Sequence, residues 1–383
     1  MATRSSSTKK KKRPPPPSLR TLSKAEARKQ PKPVAEKKVR TPAFLYVGSP
    51  EQEALLVEEL GPSARAVGAG IVGAEVRRDP AFARQLLPAP RPISALTREA
   101  LATALIALID DAGVSPRAVH VFTPEMARQG SARKSAHPLA HDATALQEVL
   151  QLKVDGRREK GKLGPATPHL LQLLLLGPTE GLVSITDVTD GPFGKVTVGD
   201  ALASWPVPFS GGRAVKETSR DAPSSAHRKL DEAMAWLGTK VTKHDVVLDL
   251  GAAPGGWTRV MRDAGARVIA VDRAALDSAL AKDPLVTHLK NDALSIDMAA
   301  QGASIVLCDV IWTPDNAVVV AERVLKTTSV RAAVITLKLK DPIDWGTLQK
   351  AQHLVRDLPG NWTGRLKHLM ANKLEVTLLL RRS

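Results

Sequence analysis

An α/β fold built on a doubly wound, mostly parallel sheet is predicted for the C-terminal half of this 383-residue chain, and two observations predict it. The first is Val246-Val-Leu-Asp-Leu-Gly-Ala-Ala-Pro-Gly-Gly-Trp257: an apolar run ending in Asp249, a loop with Gly251, Gly255 and Gly256, then a helical pattern from Trp257. A buried strand that feeds a tight glycine turn into a helix is where such sheets bind nucleotide-like ligands. The second is a series of apolar runs that end in ionisable residues: Ala270-Val271 before Asp272, Ser304-Ile-Val-Leu-Cys308 before Asp309, and Ala333-Val-Ile-Thr-Leu337 before Lys338. Carboxyl ends of parallel strands line the ligand crevice, so these residues should face one cleft. Ahead of this part a smaller α+β region and a basic tail are expected.

Residues 1–41 form the tail, rich in Lys and Pro, with Lys9-Lys-Lys-Lys-Arg-Pro-Pro-Pro-Pro17 as its densest stretch. It has too few apolar residues to build a core and should be disordered. Residues 42–215 contain the α+β region. Ala43–Val47 reads as a strand, and Ser49-Pro-Glu-Gln52 as a capping box with proline at the first helical position, opening a helix to about Leu60. Ala66–Val76 reads as one or two strands, Leu96–Asp111 as a helix, Ala118–Phe122 as a strand and Ala143–Leu152 as a helix. Leu170–Leu176 and Leu182–Ile185, joined by a Gly-Pro-Thr-Glu-Gly turn, predict a hairpin. Residues 216–383 hold the doubly wound part, in which Lys229 opens a helix before the first strand and Glu375 opens the last strand.

The glycine loop does not have the spacing of a dinucleotide fingerprint, which needs G-x-G-x-x-G to set a helix N-terminus against a pyrophosphate. Nor is it a G-x-x-x-x-G-K-[ST] phosphate loop. Its form, Asp249-x-Gly251-x-x-Pro254-Gly255-Gly256-Trp257, resembles the S-adenosyl-L-methionine loop of FtsJ-type RNA 2′-O-ribose methyltransferases. The order Lys229, Asp309, Lys338, Glu375 is similar to the catalytic tetrad of that family, and the resemblance covers roughly residues 220–383. It implies a Rossmann-like methyltransferase domain with a mostly parallel sheet of about seven strands. It implies that Asp249, Gly251, Pro254, Gly255, Gly256 and Trp257 hold the cofactor, with Asp309 counted in both sets. Asp272 is placed to accept from ribose hydroxyls, and Asp292, after the third strand, to contact the adenine.

Methyl transfer to a 2′-hydroxyl needs an oxygen nucleophile in line with a sulfonium methyl, and a base to take the hydroxyl proton as the bond forms. A lysine serves only when neutral, so burial and the nearby charges of Lys229 and of the sulfonium itself are expected to lower the pKa of Lys338. Asp309 and Glu375 would orient the lysines and hold the ribose, and no metal is required. Lys340 competes with Lys338, because the period-two alternation of a strand points both the same way.

Composition agrees with an RNA substrate. The net charge is +16, and the first 40 residues contribute +12 of it, from 14 Lys+Arg and 2 Asp+Glu. Aromatic residues are 3% of the chain, which argues against base stacking on an aromatic platform. The single cysteine, Cys308, excludes an internal disulfide and fits a reducing interior. The basic start is followed by no apolar signal core, and the longest aliphatic run, 170–176, is far below the ~20 residues of a membrane helix. A soluble, cytoplasmic protein is expected. The layout resembles RlmM-type methyltransferases of large-subunit ribosomal RNA, which carry a THUMP-like RNA-binding module ahead of the catalytic domain; the junction Asp221–Ser225 with Lys229-Leu-Asp-Glu is the part most like them. Arg133, Lys134, Arg157, Arg158, Lys160 and Lys162 are candidate phosphate contacts. Two other readings stay open: an RNA-binding protein with this fold and no activity, and a methyltransferase acting on another RNA, such as tRNA. Base methylation is disfavoured, because Asp309-Val-Ile-Trp312 stands where base-methylating relatives place an Asn- or Asp-Pro-Pro-aromatic motif.

Because the tail concentrates the charge, deletion of residues 1–40 should weaken RNA binding and flatten its dependence on salt, with little change in turnover at saturating RNA. Equal salt slopes for the full and shortened chains would make the tail a bystander.

Overall fold

The computed structural model describes residues 41–127, 137–187, 224 and 226–382. The tail over 1–40, Arg133, Lys134, and residues 221–223 and 225 of the expected junction lie outside the described residues.

Short β-branched and aliphatic runs open the N-terminal region. β1 (Phe44–Gly48) is followed by a 3-10 turn (Pro50–Gln52), α1 (Glu53–Leu60), β2 (Arg65–Gly68), β3 (Ile71–Ala74), β4 (Ala83–Pro88) and β5 (Arg91–Ser94). Then come α2 (Arg98–Asp111), β6 (Pro116–Phe122), α3 (Ala140–Glu159), β7 (Thr167–Gly177) and β8 (Glu180–Asp187). Two four-stranded sheets result, ordered β2-β3-β1-β4 and β5-β8-β7-β6, with β6 and β7 the one parallel pair.

The capping box at Ser49 does not form. Its hydroxyl pairs with the carboxylate of Glu51, a charged acceptor that competes well against a backbone partner. The Gln52 N–H instead bonds Ser49 O at 3.0 Å, giving the 3-10 turn, and the α-helix starts at Glu53. The α3 helix runs well past the expected Ala143–Leu152 at both ends. It is held to the edge strand β6, where Gln147 and Gln151 accept the N–H groups of Val121 and Val119, each at 2.9 Å. Arg157 and Arg158 in its last turn are already engaged: Arg157 with Asp110 at 2.6 Å, and Arg158 with Asp155, Ser115 and the carbonyl of Pro116. Lys160 and Lys162 beyond them are exposed.

The C-terminal region alternates strand and helix. It comprises α4 (His227–Leu237), β9 (Val246–Leu250), α5 (Gly256–Asp263), β10 (Arg267–Val271), α6 (Ser278–Ala281), β11 (Val286–Leu289) and β12 (Ile305–Cys308). It continues through α7 (Pro314–Lys326), β13 (Ala332–Lys338), α8 (Trp345–Arg356), β14 (Trp362–Lys367) and β15 (Glu375–Arg382). One seven-stranded sheet results, ordered β11-β10-β9-β12-β13-β15-β14. Its first five strands are parallel, and β15 runs antiparallel to both its neighbours. This is the Rossmann-like methyltransferase arrangement expected from the sequence.

Both faces of this sheet are covered, which is why its strands read as continuous apolar runs. Leu248, Val306 and Ile335 join the cluster under α7 and α8, while their chain neighbours Val247, Leu307 and Val334 join the one under α4 and α5. Each such fully buried aliphatic side chain contributes about 1.5–3 kcal/mol. The first cluster also takes in Tyr46, Leu56, Phe82 and Leu86, so the N-terminal sheet and the large sheet share one continuous core. Phe82 is fully buried between Trp345 and His368, with ring centroids at 6.4 and 5.7 Å. Among the described residues no helix is long and apolar enough to cross a membrane.

Candidate active site

Strand order reverses direction between β9 and β12, and the carboxyl ends of the parallel strands meet at that crossing. Four aspartates stand on this crest. Asp249 is the penultimate residue of β9, and Asp272, Asp292 and Asp309 follow β10, β11 and β12. A crest of this charge repels phosphate and suits a ligand that is neutral or positive in its middle.

The loop after β9 is shaped by contacts inside the protein. Gly251 has φ 79°, and a Cβ there would lie 2.5 Å from Val310 Cγ2. Gly255, with φ 118°, caps α5 in the left-handed region, and a Cβ on Gly256 would run into the Ser224 hydroxyl. The close approach that demands Gly251 and Gly256 is therefore that of neighbouring chain, a need the sequence alone did not reveal. Pro254 follows a cis peptide bond, and its carbonyl accepts the Asp277 N–H at 2.9 Å.

Asp249 is 1% exposed and accepts the Thr258 hydroxyl at 2.6 Å, so it ties β9 to α5. Burial pushes its carboxyl up to about 7, against the pull of Thr258 and with the charges of Asp309 and Asp272 adding to the rise. Asp272 accepts the N–H groups of Ala253 at 3.0 Å and Ala274 at 2.8 Å, one on each oxygen, which fixes its plane and leaves each oxygen a further lone pair. Asp292 caps the short turn at Ala293–Ser295 and pairs with Arg273 at 2.6 Å. Trp257, grouped with the cofactor residues on sequence, is 3% exposed and donates its indole N–H to Ala226 O at 2.7 Å. That bond joins the loop helix to the first turn of α4, three residues before Lys229. Thr258 had no signal beyond being a hydroxyl residue in the first turn after the glycines.

Lys229, Asp309, Lys338 and Glu375 come together as a closed square of alternating charge. Lys229 Nζ lies 2.9 Å from Asp309 Oδ2 and 2.9 Å from Glu375 Oε1. Lys338 Nζ lies 2.6 Å from Asp309 Oδ1 and 2.5 Å from Glu375 Oε2. Local structure explains the meeting: Lys338 and Glu375 are direct partners in the β13–β15 register, Asp309 follows the strand beside β13, and Lys229 lies in the first turn of α4. Lys338 is the most open corner, its side chain 23% exposed against 9–14% for the other three. Lys340, the competing lysine, lies beyond the end of β13 and is exposed.

Burial acts to lower the pKa of Lys338, but the carboxylates of Asp309 and Glu375 together outweigh it and hold the ammonium above its ordinary range. Both carboxylates touch both lysines, a contact that the sequence does not show. Cys308 is core packing, its thiol pushed up to about 12 by burial.

Comparison with known proteins follows the same line. Residues 223–341 match the model of the family described as FtsJ-like methyltransferase. Ribosomal RNA large subunit methyltransferase M of Alkalilimnicola ehrlichii is 31% identical over 191 residues, which is 48% of this chain and 53% of that protein. The protein of the same name from Halorhodospira halophila is 34% identical over 169 residues, 43% of this chain and 48% of its own. That of Thauera aminoaromatica is 26% identical over 316 residues, 79% of each chain, an alignment long enough to take in part of the region ahead of residue 223. The chain spans about half the length of the first two relatives.

A pH test follows from Asp249. Its proton is held more tightly in the folded chain than in the unfolded one, so its contribution to stability is complete below the ordinary carboxylate pKa of about 4 and is lost as pH rises through about 7. The melting temperature of the parent should therefore fall more steeply across that window than that of Asp249→Asn, whose amide does not titrate. Parallel curves would show that Asp249 is not the group responsible.

Proposed function

We propose that this chain transfers a methyl group from S-adenosyl-L-methionine to a ribose 2′-hydroxyl of RNA, with large-subunit ribosomal RNA as the substrate. The observation that carries the reading is the Lys229–Asp309–Lys338–Glu375 square at the carboxyl ends of the strands. It is supported by the FtsJ-like match over 223–341 and by the relatives, which are named ribosomal RNA large subunit methyltransferase M.

The residues of the crest fit the cofactor. Asp272, with both oxygens fixed and lone pairs to spare, suits the ribose hydroxyls, and Asp292 suits the adenine. Gly251, Pro254, Gly255 and Gly256 bring backbone to the amino-acid end, while Asp249 and Trp257 hold that loop in shape. The acidic crest, completed by Asp309, attracts positive charge. When bound, S-adenosyl-L-methionine supplies the methyl on a sulfonium whose charge opposes the hold of the two carboxylates on the Lys338 proton.

Lys338, the open corner, is the base. Its neutral amine would take the 2′-hydroxyl proton as the ribose oxygen bonds to the methyl carbon and the methyl–sulfur bond breaks, the sulfur leaving as a neutral thioether. Asp309 and Glu375 fix the direction of the lysine nitrogen, and Lys229 keeps the two carboxylates apart and balanced. Positioned proton transfer of this kind contributes about 10²–10⁴-fold. We assign residues 42–215 to an RNA-binding, THUMP-like module, residues 216–383 to the methyltransferase domain, residues 1–41 to a basic tail, and the protein to the cytoplasm. The alternative of an inactive RNA-binding protein predicts a decayed site, whereas every corner of the square is present.

Lys338→Ala should lose at least about 100-fold in methyl transfer while keeping cofactor and RNA binding. Lys338→Arg should fail as well, since a guanidinium cannot give up its proton near neutral pH. The assay is transfer of labelled methyl to unmodified ribosomal RNA, with product located on ribose by resistance to alkaline cleavage. Label on a base, or full activity in Lys338→Arg, would sink the mechanism. Separately, Gly255→Val places a β-branched residue at φ 118°, and the resulting strain should weaken cofactor affinity about tenfold or more by calorimetry. Unchanged affinity would remove the loop from the cofactor site.

A further inference from the structure

The turn that joins β14 to β15 is anchored far more heavily than a hairpin turn requires. His368, Leu369 and Asn372 within it are buried to 2% exposure or less. Much of the anchoring comes from the N-terminal region. The His368 N–H donates to Ala81 O at 2.7 Å. Arg84 donates from Nε to His368 O and from Nη2 to Leu369 O, each at 2.9 Å, and its Nη2 lies 3.1 Å from His368 Nδ1. Its third nitrogen pairs with Glu125. A rigid guanidinium fork engages two successive carbonyls and a carboxylate from three fixed nitrogens, where a lysine offers a single one.

A further anchor comes from α4, where Glu232, 4% exposed, accepts the Met370 N–H at 2.8 Å. Burial pushes the Glu232 carboxyl up to about 7, and the charge of Arg84 is the largest influence holding it down. Beyond the turn, Asn372 donates to Glu375 O at 3.1 Å and to Thr377 Oγ1 at 3.2 Å, and the Leu339 N–H donates to Leu374 O at 3.0 Å. Glu375 follows the turn directly, and Lys229 lies one helical turn from Glu232. Two corners of the square thus stand on the segment that Arg84 holds.

We propose that Arg84 is a positioning residue for the square: beyond any role in gripping RNA, the N-terminal region holds the 368–370 turn from which Glu375, and through Glu232 also Lys229, take their places. Arg84 touches none of the four corners itself. The proposal rests on the square being the reacting centre, and its test separates the two claims.

The test uses the full chain with Arg84→Met and Arg84→Lys. In Arg84→Met, amide hydrogen exchange over residues 368–375 should quicken, a readout that needs no substrate. Turnover should fall about 10- to 100-fold, as for a small misplacement of reacting groups, with KM for RNA within about twofold of the parent. The rate of the parent should rise with pH as Lys338 loses its proton, and in Arg84→Met that rise should move to lower pH. With Glu375 drawn back, Lys338 faces Asp309 and Lys229 alone and loses one of the two charges that raise it. Arg84→Lys keeps the positive charge beside Glu125 and Glu232 without the fork, and should fall between. A raised KM with parental turnover and pH profile would overturn the proposal. If Arg84→Met does not fold, parental turnover, profile and exchange in Arg84→Lys would overturn it equally. A parent that transfers no methyl refutes the reading of the square, while exchange over 368–375 still decides whether Arg84 holds the turn.

Discussion

Two ammonium groups and two carboxylates, each touching both of its opposites, form the constraint around which the C-terminal half is arranged. Removing one partner from such a mostly buried set strands a charge, a loss of about 3–5 kcal/mol for a buried pair. Apolar residues of the same volume often serve stability as well or better, so stability alone does not account for the square. Element boundaries fall on it: α4 has Lys229 in its first turn, β12 stops one residue before Asp309, β13 ends at Lys338 and β15 begins at Glu375. A one-residue slip of β13 or β15 in the sheet would turn its corner to the other face.

Asp309, Lys338 and Glu375 were legible in the sequence because each sits where an apolar run stops or starts, and Lys229 because it opens a helix and completes the order of the tetrad. Their contacts were not legible, so the pull of both carboxylates on Lys338 could not be read from the sequence. The choice between Lys338 and Lys340 depended on where β13 ends, and only the pairing with Glu375 decides that. Glycines marked the loop correctly, yet Gly251 and Gly256 answer to Val310 and Ser224, which lie far off along the chain. The β4 strand escaped notice because Arg84 and Gln85 interrupt its apolar pattern, and both are buried all the same. A buried arginine is compatible with a strand only when its partners are at hand, and two of those partners, His368 and Leu369, are nearly 300 residues away in sequence.

The two halves of the chain solve different problems with one core. Glu59 shows how tightly they are joined: it accepts the N–H groups of Ala81 and Phe82 and also the side-chain amide of Gln352 on α8. Lys367, fully buried beside the Trp236 ring and donating to Ala83 O, has its pKa pulled down to about 7 by that burial. Polar groups kept this deep at a junction are satisfied only when the halves meet in one way, which favours a single docked arrangement over two domains swinging on a linker.

The path of β15 has a consequence for how the chain comes to life. This strand follows β14 in the chain but lies between β13 and β14 in the sheet, so those two become neighbours of a common strand only when it is inserted. Long-range pairing of that kind is slow, because loop entropy is lost before the contacts form. Glu375 arrives with the insertion. With β15 unpaired the square has three corners, one negative against two positive, and is incomplete. Assembly of the square is thus coupled to the pairing of β15 with β13.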